Sequence, residues 1–141
     1  MTAHFRPEEF ACKCGCGLMA VAPELLEGLE ALRVALGNKP ILILSGYRCR
    51  AHNTAVGGSA GSQHTKGLAA DIAVEGVRLS DVFRAAAGMP CFFSGGIGVY
   101  PDEDFLHVDI RGTRARWGGL KHCVVGFSTA WDELKRLEGT T

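Results

Sequence analysis

Three side chains in this sequence have the types and the order of a metal-ligating set. His64 and Asp71 are separated by six residues, and His107 follows later in the chain. Two imidazoles and one carboxylate suffice to hold a catalytic zinc, and they leave a fourth position for water, whose pKa the metal lowers to about 7. Spacing alone leaves other interpretations open, because H-x6-D is not the helical H-E-x-x-H pair. Each residue alone is also compatible with a loop histidine, a satisfied buried carboxylate or a core histidine.

Alternation along two predicted strands indicates that Asp71 and His107 face a cleft. In segment 105–110, His107 and Asp109 share the face opposite the aliphatic side chains, which are expected to point into the core. In segment 68–74, Asp71 has the parity of two alanines, which leave room around a carboxylate. The first histidine of the candidate set lies in the loop that leads to segment 68–74.

Short strands and outlying helices are the elements that must position these residues. Leucines at helical spacing predict an amphipathic helix over residues 23–36, with Gly37 as its C-terminal stop. Ser80 and Ser128 are expected to cap two later helices. Strands are predicted at residues 40–44, 68–74, 97–100 and 105–110. This arrangement predicts an α+β fold, with a mainly antiparallel central sheet flanked by helices.

The composition is that of an ordinary globular protein, and the length predicts one domain. Within a domain over residues 1–141 we distinguish a cysteine-containing N-terminal segment (1–20), a core (23–118) and a C-terminal strand and helix (119–141). Fifteen Lys and Arg balance fifteen Asp and Glu, which argues against nucleic acid or an anionic membrane surface as a partner. No apolar run is long enough to span a bilayer, so no membrane insertion is expected. The first residues lack the pattern of a secretory signal, so we expect synthesis in the cytoplasm, and we expect a monomer.

Three cysteines, Cys12, Cys14 and Cys16, lie in the run C-K-C-G-C-G. They could bind a second metal, with Cys49 or a histidine completing the set, but the spacing is not that of a C-x-x-C knuckle. A disulfide framework is typical of small secreted domains, and nothing in the sequence indicates secretion. We therefore favour reduced or buried cysteines without a metal.

Three motifs connect the candidate ligands to a known family. They are S-G-Y-R at 45–48, S-x-H-x-x-G-x-A-x-D at 62–71 and D-x-x-H at 104–107. In this order they resemble the zinc D-Ala-D-Ala metallopeptidases, which include D-Ala-D-Ala carboxypeptidases, vancomycin-resistance dipeptidases and the L-alanyl-D-glutamate endopeptidases of phage endolysins. Lysostaphin-type peptidases and the hedgehog signalling domain have a related fold. The resemblance extends over about residues 10–117, and the residues after Arg48 are most similar to the small single-domain branch common in phage and prophage.

The resemblance implies a role for each matching residue. One zinc per chain would be bound by three residues, His64, Asp71 and His107. Asp104 would be the general base that takes a proton from water and passes it to the leaving amine. Arg48 would stabilise the oxyanion, because a fixed guanidinium aimed at developing charge lowers the barrier. Ser62 would orient substrate or the metal-binding loop. Tyr47 is a candidate substrate contact, although aromatic residues in such positions, Trp117 included, pack more often than they bind.

Strand alternation does not favour Asp104 as the base. Asp104 would share the parity of Leu106 rather than that of His107, and Glu103 and Asp109 have the better parity. Asp104 is still preferred, because the residues before the strand are expected to form a turn, where alternation does not hold. Asp109 is expected to be an orienting or structural carboxylate.

The implied activity is zinc-dependent hydrolysis of a peptide bond in the peptidoglycan stem peptide. The D-Ala-D-Ala bond at the end of the stem and the L-Ala-D-Glu bond at its base are both compatible with the motifs. The alternative is a non-catalytic zinc-containing binding module of the same fold, although intact Asp104 and Arg48 argue against it. A phage-type enzyme would be made in the cytoplasm and act on the cell wall after the membrane fails. The three N-terminal cysteines lie outside every catalytic motif, so hydrolysis is not expected to need them.

Overall fold

The computed structural model describes residues 2–139, so the outermost ends of the predicted 1–141 domain lie outside the described residues. The strands are β1 Ile41–Ser45, β2 Ala69–Val74, β3 Gly96–Tyr100, β4 Phe105–Asp109, β5 Ala115–Leu120 and β6 Cys123–Val125. The α-helices are α1 Pro23–Ala35, α2 Arg50–Ala55, α3 Leu79–Ala87, α4 Pro90–Phe93 and α5 Phe127–Leu137. Two short 3-10 helices occupy Pro7–Phe10 and Gln63–Lys66. Within residues 2–139, no helix combines the length and the apolar character needed to cross a membrane.

The strands form one sheet in the order β1-β2-β4-β3-β5-β6. Every neighbouring pair is antiparallel except β3 and β5, which run parallel. The predicted α+β class with a mainly antiparallel central sheet is therefore confirmed. The first four strands each begin and end within one residue of the predicted bounds, because each carries a clear run or alternation of apolar side chains.

The sequence of β5 lacks a run or alternation of apolar side chains, because two glycines stand where apolar residues would be expected. A Cβ at Gly118 would overlap the side chain of Ala130 in α5, and a Cβ at Gly119 would overlap the ring of Tyr100. The missing side chains allow α5 to lie directly on the strand and the tyrosine ring to lie across it. The strand is therefore stabilised by close approach rather than by its own apolar residues.

Two helices begin one residue before the serines predicted as their caps. α3 has Arg78 at its N-cap position and α5 has Gly126, and neither forms a side-chain cap. The prediction that Ser80 and Ser128 cap these helices is therefore wrong. The Ser80 hydroxyl instead donates to Oε1 of Glu138 at 2.6 Å, and its backbone N–H donates to Oε2 at 3.1 Å. This carboxylate joins the start of α3 to the end of α5.

The centre of the sheet has one apolar face and one polar face. Ile72, Leu106 and Val99 lie side by side on three neighbouring strands and are fully buried beneath α3 and α5. The alternate residues of β2 and β4, Asp71 and His107, belong to the opposite face. Burial of the apolar face therefore directs the polar side chains into the cleft described below.

The N-terminal segment closes the core beside β1. Phe5 and Phe10 are buried, with ring centroids 6.4 Å apart. Phe10 lies so close to Gly46 that a Cβ on the glycine would come within 2.6 Å of the Phe10 Cα atom. The backbone N–H of Tyr47 donates to the Phe10 carbonyl at 2.8 Å. The segment thereby fixes the start of the S-G-Y-R motif.

We expect Phe10→Ala to lower the free energy of unfolding by about 3–5 kcal/mol, because it leaves a cavity beside Phe5 and Gly46. Denaturant titration measures the change. Val124→Ala is the control, since Val124 is 80% exposed and its truncation should change stability by no more than about 0.5 kcal/mol. An effect of Phe10→Ala as small as that of the control would show that the N-terminal segment does not contribute to the core.

Candidate metal centre and its cleft

A cleft of about 540 Å³ opens on the polar face of the sheet. Asp71 from β2 and His107 from β4 lie in it, and the 3-10 helix Gln63–Lys66 adds His64. Further residues that line the cleft include Arg48, Ser62, Tyr100, Glu103, Arg111 and Trp117. These residues are up to 69 positions apart in the sequence (117 − 48), so only the folded chain brings them together.

The pairing of β2 with β4 sets Asp71 directly opposite His107. Oδ1 of Asp71 lies 3.0 Å from Nδ1 of His107 and 3.2 Å from Nε2 of His64. All three residues are buried, and the two imidazole rings meet edge to face with centroids 5.1 Å apart. The three candidate ligand atoms lie within 4.8 Å of one another. The structure thus brings together the three residues that the sequence singled out.

The short helix Gln63–Lys66 is held at both ends. At its start, the Ser62 hydroxyl oxygen accepts the backbone N–H of His64 at 3.2 Å. At its end, Gly67 has a φ of 72°, a left-handed conformation that glycine adopts without steric cost. A Cβ at Gly67 would also lie 2.8 Å from the carbonyl oxygen of Ala20. Ser62 therefore contacts the loop that carries His64, which agrees with one of the two roles considered for it.

Each imidazole is oriented by a partner on its outer nitrogen. Nδ1 of His64 lies 2.7 Å from the Gly46 carbonyl, which can only accept, so Nδ1 carries a proton and Nε2 faces Asp71. Nε2 of His107 lies 2.7 Å from Oδ2 of Asp109, so its Nδ1 faces Asp71. Metal-ligating histidines have this arrangement, in which the outer partner fixes the tautomer and the ring orientation.

Asp109 anchors this arrangement to the sheet. It is fully buried and accepts hydrogen bonds from Nη2 of Arg111 at 2.7 Å and from the backbone N–H of Gly96 at 2.9 Å. A Cβ at Gly96 would overlap the Asp109 carboxylate, so the strand beside it needs glycine at this position. These contacts are those of an orienting carboxylate.

Burial and hydrogen bonding act in opposite directions on the titrating groups of the cleft. Burial raises the pKa of Asp71, but hydrogen bonds from His107 and His64 outweigh it and hold that pKa well below its usual range. Burial also raises the pKa of Asp109, and its bonds with His107 and Arg111 outweigh this effect too. Burial lowers the pKa of His107, whereas its bonds to the two carboxylates raise it by more. Both carboxylates are therefore anionic at neutral pH, as a cation site requires.

The donor set fits zinc in chemistry and in spacing. Zinc binds imidazole nitrogen and carboxylate oxygen at about 2.0–2.2 Å, so tetrahedral ligand atoms lie roughly 3.3–3.5 Å apart. The contacts from Asp71 Oδ1 to the two histidine nitrogens, 3.0 and 3.2 Å, are close to that spacing. Three protein ligands beside an open cleft are typical of catalytic rather than structural zinc sites.

Three side chains hold Arg48 at the edge of this set. Nη2 lies 3.4 Å from Oδ2 of Asp71, Nη1 lies 3.2 Å from Oδ1 of Asn53, and Nε lies 3.3 Å from the Ser45 hydroxyl. Asn53 is buried, and its amide group donates to the Ser59 carbonyl at 2.8 Å. The sequence did not reveal this role of Asn53. Its place in the segment after Arg48 was the only available signal.

Trp117 lies against His107 across a glycine. Gly98 in β3 is paired with His107 on one side and with Trp117 on the other, and the two rings have centroids 5.0 Å apart. A Cβ at Gly98 would lie 2.7 Å from the indole ring. The indole N–H donates to the Tyr100 hydroxyl at 2.9 Å, and burial raises the pKa of that phenol. Trp117 therefore packs, as expected, but it also lines the cleft.

The turn between β3 and β4 separates the two acidic residues considered as bases. The side chain of Glu103 is 42% exposed and lines the cleft. Asp104 has a φ of 55° and lines a different pocket, beside Pro101 and Leu134. The structure therefore does not bring Asp104 to the candidate metal ligands, because the left-handed residue interrupts the path of the strand. Of the residues described in 2–139, those lining the cleft do not include Tyr47 either.

A family model described as Peptidase M15 matches residues 3–109, which include all three candidate metal ligands. The chain belongs to the peptidase M15 family. The resemblance inferred from the three motifs is thereby confirmed. In this M15 chain the matched region ends at Asp109, so the cleft-lining residues of β5 lie beyond it.

Two curated relatives of this M15 chain are peptidoglycan L,D-endopeptidases by name. The peptidoglycan L,D-endopeptidase MepK of Escherichia coli (strain K12) is 36% identical over 106 residues, which are 71% of this chain and 56% of the relative. The probable peptidoglycan L,D-endopeptidase MepK of Haemophilus influenzae is 32% identical over 105 residues, 70% of this chain and 54% of the relative. The chain spans about half the length of these curated relatives.

We expect His64→Ala and His107→Ala each to remove one bound zinc per chain, because either change deletes one of three ligands. Elemental analysis of the dialysed protein measures the loss. His122→Ala is the control, since the His122 side chain is 88% exposed and lies outside the ligand set. Undiminished zinc in both ligand variants would refute the assignment.

Proposed function

We propose that this chain is a zinc-dependent endopeptidase that hydrolyses an L–D peptide bond in peptidoglycan. The observation that carries the proposal is the convergence of three ligands, His64, Asp71 and His107, in an open cleft with Arg48 held beside them. A structural zinc site would normally be closed by a fourth protein ligand, whereas this one faces the cleft. Membership of the M15 family supports peptide-bond hydrolysis as the reaction.

The three ligands are prepared for the ion by the residues around them. Zinc bound there would act as a Lewis acid on a peptide carbonyl and lower the pKa of water toward 7. Gly46 and Asp109 keep the second ring nitrogens of His64 and His107 directed inward, where each would offer a lone pair to the ion. Asp71 supplies the negative charge that balances part of the ion's charge. Little reorganisation is then needed when the substrate enters.

Arg48 is the group that stabilises negative charge developing on the carbonyl oxygen. Asn53 and Ser45 hold two of its nitrogens before any substrate binds. A charge fixed in advance is the condition under which electrostatic stabilisation is strongest. The third nitrogen, Nη2, lies 3.4 Å from Asp71 and so places the guanidinium next to the candidate ligands.

We assign the general base to Glu103 instead of Asp104. The position of Glu103 on the cleft wall supports this choice, as does the separate pocket that Asp104 lines. A carboxylate within hydrogen-bond reach of the attacking water, directly or through one bridging water, can accept the proton of that water and pass it to the leaving amine.

The choice of an L–D bond rests on the names of the MepK relatives. Of the two bonds compatible with the motifs, L-Ala-D-Glu joins an L to a D residue, and D-Ala-D-Ala does not. Tyr100, Phe105 and Trp117 form an aromatic wall suited to apolar contact with a small side chain such as that of alanine. The stem peptide is then the partner of this cleft, and the cell wall is its place of action.

Digestion of defined muropeptides tests the bond. We expect the zinc-loaded chain to release products with a new D-Glu amino terminus and to leave the terminal D-Ala-D-Ala bond intact, as measured by mass spectrometry. His64→Ala should give no product. Release of terminal D-Ala alone would assign a carboxypeptidase, and binding without new amino groups would favour the non-catalytic module.

Paired carboxylate variants test the base. We expect Glu103→Gln to keep its zinc but to lower kcat/KM at least about a hundredfold, the usual scale for loss of a general acid–base group. Asp104→Asn should stay near the unmodified enzyme and is the matched control. The acidic limb of the pH profile should change only in the Glu103 variant. The reverse pattern would return the role to Asp104, as the D-x-x-H motif implies.

A further inference from the structure

Four cysteine side chains converge at the surface beside α2. Cys12, Cys14 and Cys16 come from the N-terminal segment, and Cys49 directly follows Arg48. The sulfur atoms of Cys12 and Cys14 are 3.5 Å apart, and those of Cys14 and Cys49 are 3.7 Å apart. All four sulfur atoms lie within 4.8 Å of one another. Each of the four is a free cysteine in the described chain.

We propose that these four thiolates bind a second zinc ion, distinct from the one in the cleft. Zinc–sulfur bonds of about 2.3 Å in a tetrahedron separate the sulfur atoms by roughly 3.8 Å. The two sulfur–sulfur separations given above, 3.5 and 3.7 Å, are close to that value. A disulfide bond joins two sulfur atoms at about 2.05 Å, whereas these sulfur atoms are 3.5 and 3.7 Å apart and all four surround one centre. Four protein ligands close the coordination sphere, so the site is structural.

The loop that carries these ligands has no apolar core of its own. Residues 13–20 are all exposed, including Leu18 at 53%. Gly15 and Gly17 have φ angles of 86° and 80°, which turn the chain so that successive cysteines approach one centre. Because hydrophobic burial contributes little to residues 13–20, metal binding would add substantially to the backbone hydrogen bond from Cys12 to Leu18 that already closes the loop.

Backbone groups around the cluster are arranged to receive thiolate sulfur. The N–H of Cys49 donates to the sulfur of Cys12 at 3.3 Å, and the N–H of His52 donates to the sulfur of Cys49 at 3.4 Å. Such donors orient metal ligands and offset their negative charge. His52 and Asn53 both lie in α2, so the same helix contacts Cys49 and Arg48.

The second ion would join the N-terminal segment to the segment of the S-G-Y-R motif. That motif ends at Arg48, next to the ligand Cys49, and the backbone of Tyr47 is already bonded to Phe10. A metal bridge between Cys12 and Cys49 would continue this connection. The spacing C-x-C-x-C gave little indication of it, because the fourth ligand is 33 residues further along (49 − 16).

Zinc counting in the full chain, purified under reducing conditions, tests the site. We expect about two zinc ions per chain in the unmodified protein, and about one both in the double variant Cys14→Ser/Cys16→Ser and in His64→Ala. The combination of all three changes should remove both ions. Cys123→Ser is the control, because Cys123 is exposed and lies outside the cluster. Retention of both ions by the double cysteine variant would overturn the proposal.

A cobalt spectrum gives a second reading, and its deciding arm uses a variant in which all four cysteines are intact. His64→Ala loaded with Co²⁺ should show the intense near-ultraviolet absorption of cobalt–thiolate bonds. The same absorption should be absent when Cys14→Ser and Cys16→Ser are added. Absence of thiolate absorption in His64→Ala, or disulfide-linked peptides among these four cysteines, would overturn the proposal. Neither measurement uses hydrolysis, so failure of the proposed enzymatic function would leave this result unaffected.

Discussion

The pairing of β2 with β4 is the constraint on which the rest of the site depends. The register that sets Asp71 opposite His107 also sets Ile72 opposite Leu106. Because side chains alternate between the two faces, a slip of one residue in either strand would send its ligand into the core and its core residue into the cleft. The burial of Ile72 and Leu106 therefore fixes the ligand geometry as firmly as any contact within the cleft does.

Glycine gives the polar face its depth. On β3, Gly96 leaves room for the Asp109 carboxylate, and Gly98 leaves room for the Trp117 indole. A β-branched residue at either position would suit a strand by propensity but would occupy the space that these side chains use. β3 therefore contributes to the site mainly through the side chains that it lacks.

The sequence predicted side-chain directions within regular strands. It did not predict them where a left-handed residue changes the path of the chain or where the hydrogen-bond partner is distant in sequence. Alternation predicted the orientation of Asp71 and His107, because both lie within strands. Alternation could not predict where the side chain of Asp104 points, because its φ of 55° is not that of a strand residue. Local capping rules failed at Ser80 because its hydroxyl partner, Glu138, lies 58 positions away. Such a partner is chosen by tertiary packing, on which a capping motif carries no information.

The contact between Asp71 and His107 joins residues 36 positions apart, and it exists only when the sheet is complete. The unfolded chain does not hold these three residues together, so an ion in this site binds the native state preferentially. Its binding free energy is then part of the folding free energy: a hundredfold excess of free metal over the Kd adds about 2.7 kcal/mol. A chelator removes this contribution, so the melting temperature of such a fold falls as the free metal in its surroundings becomes scarce.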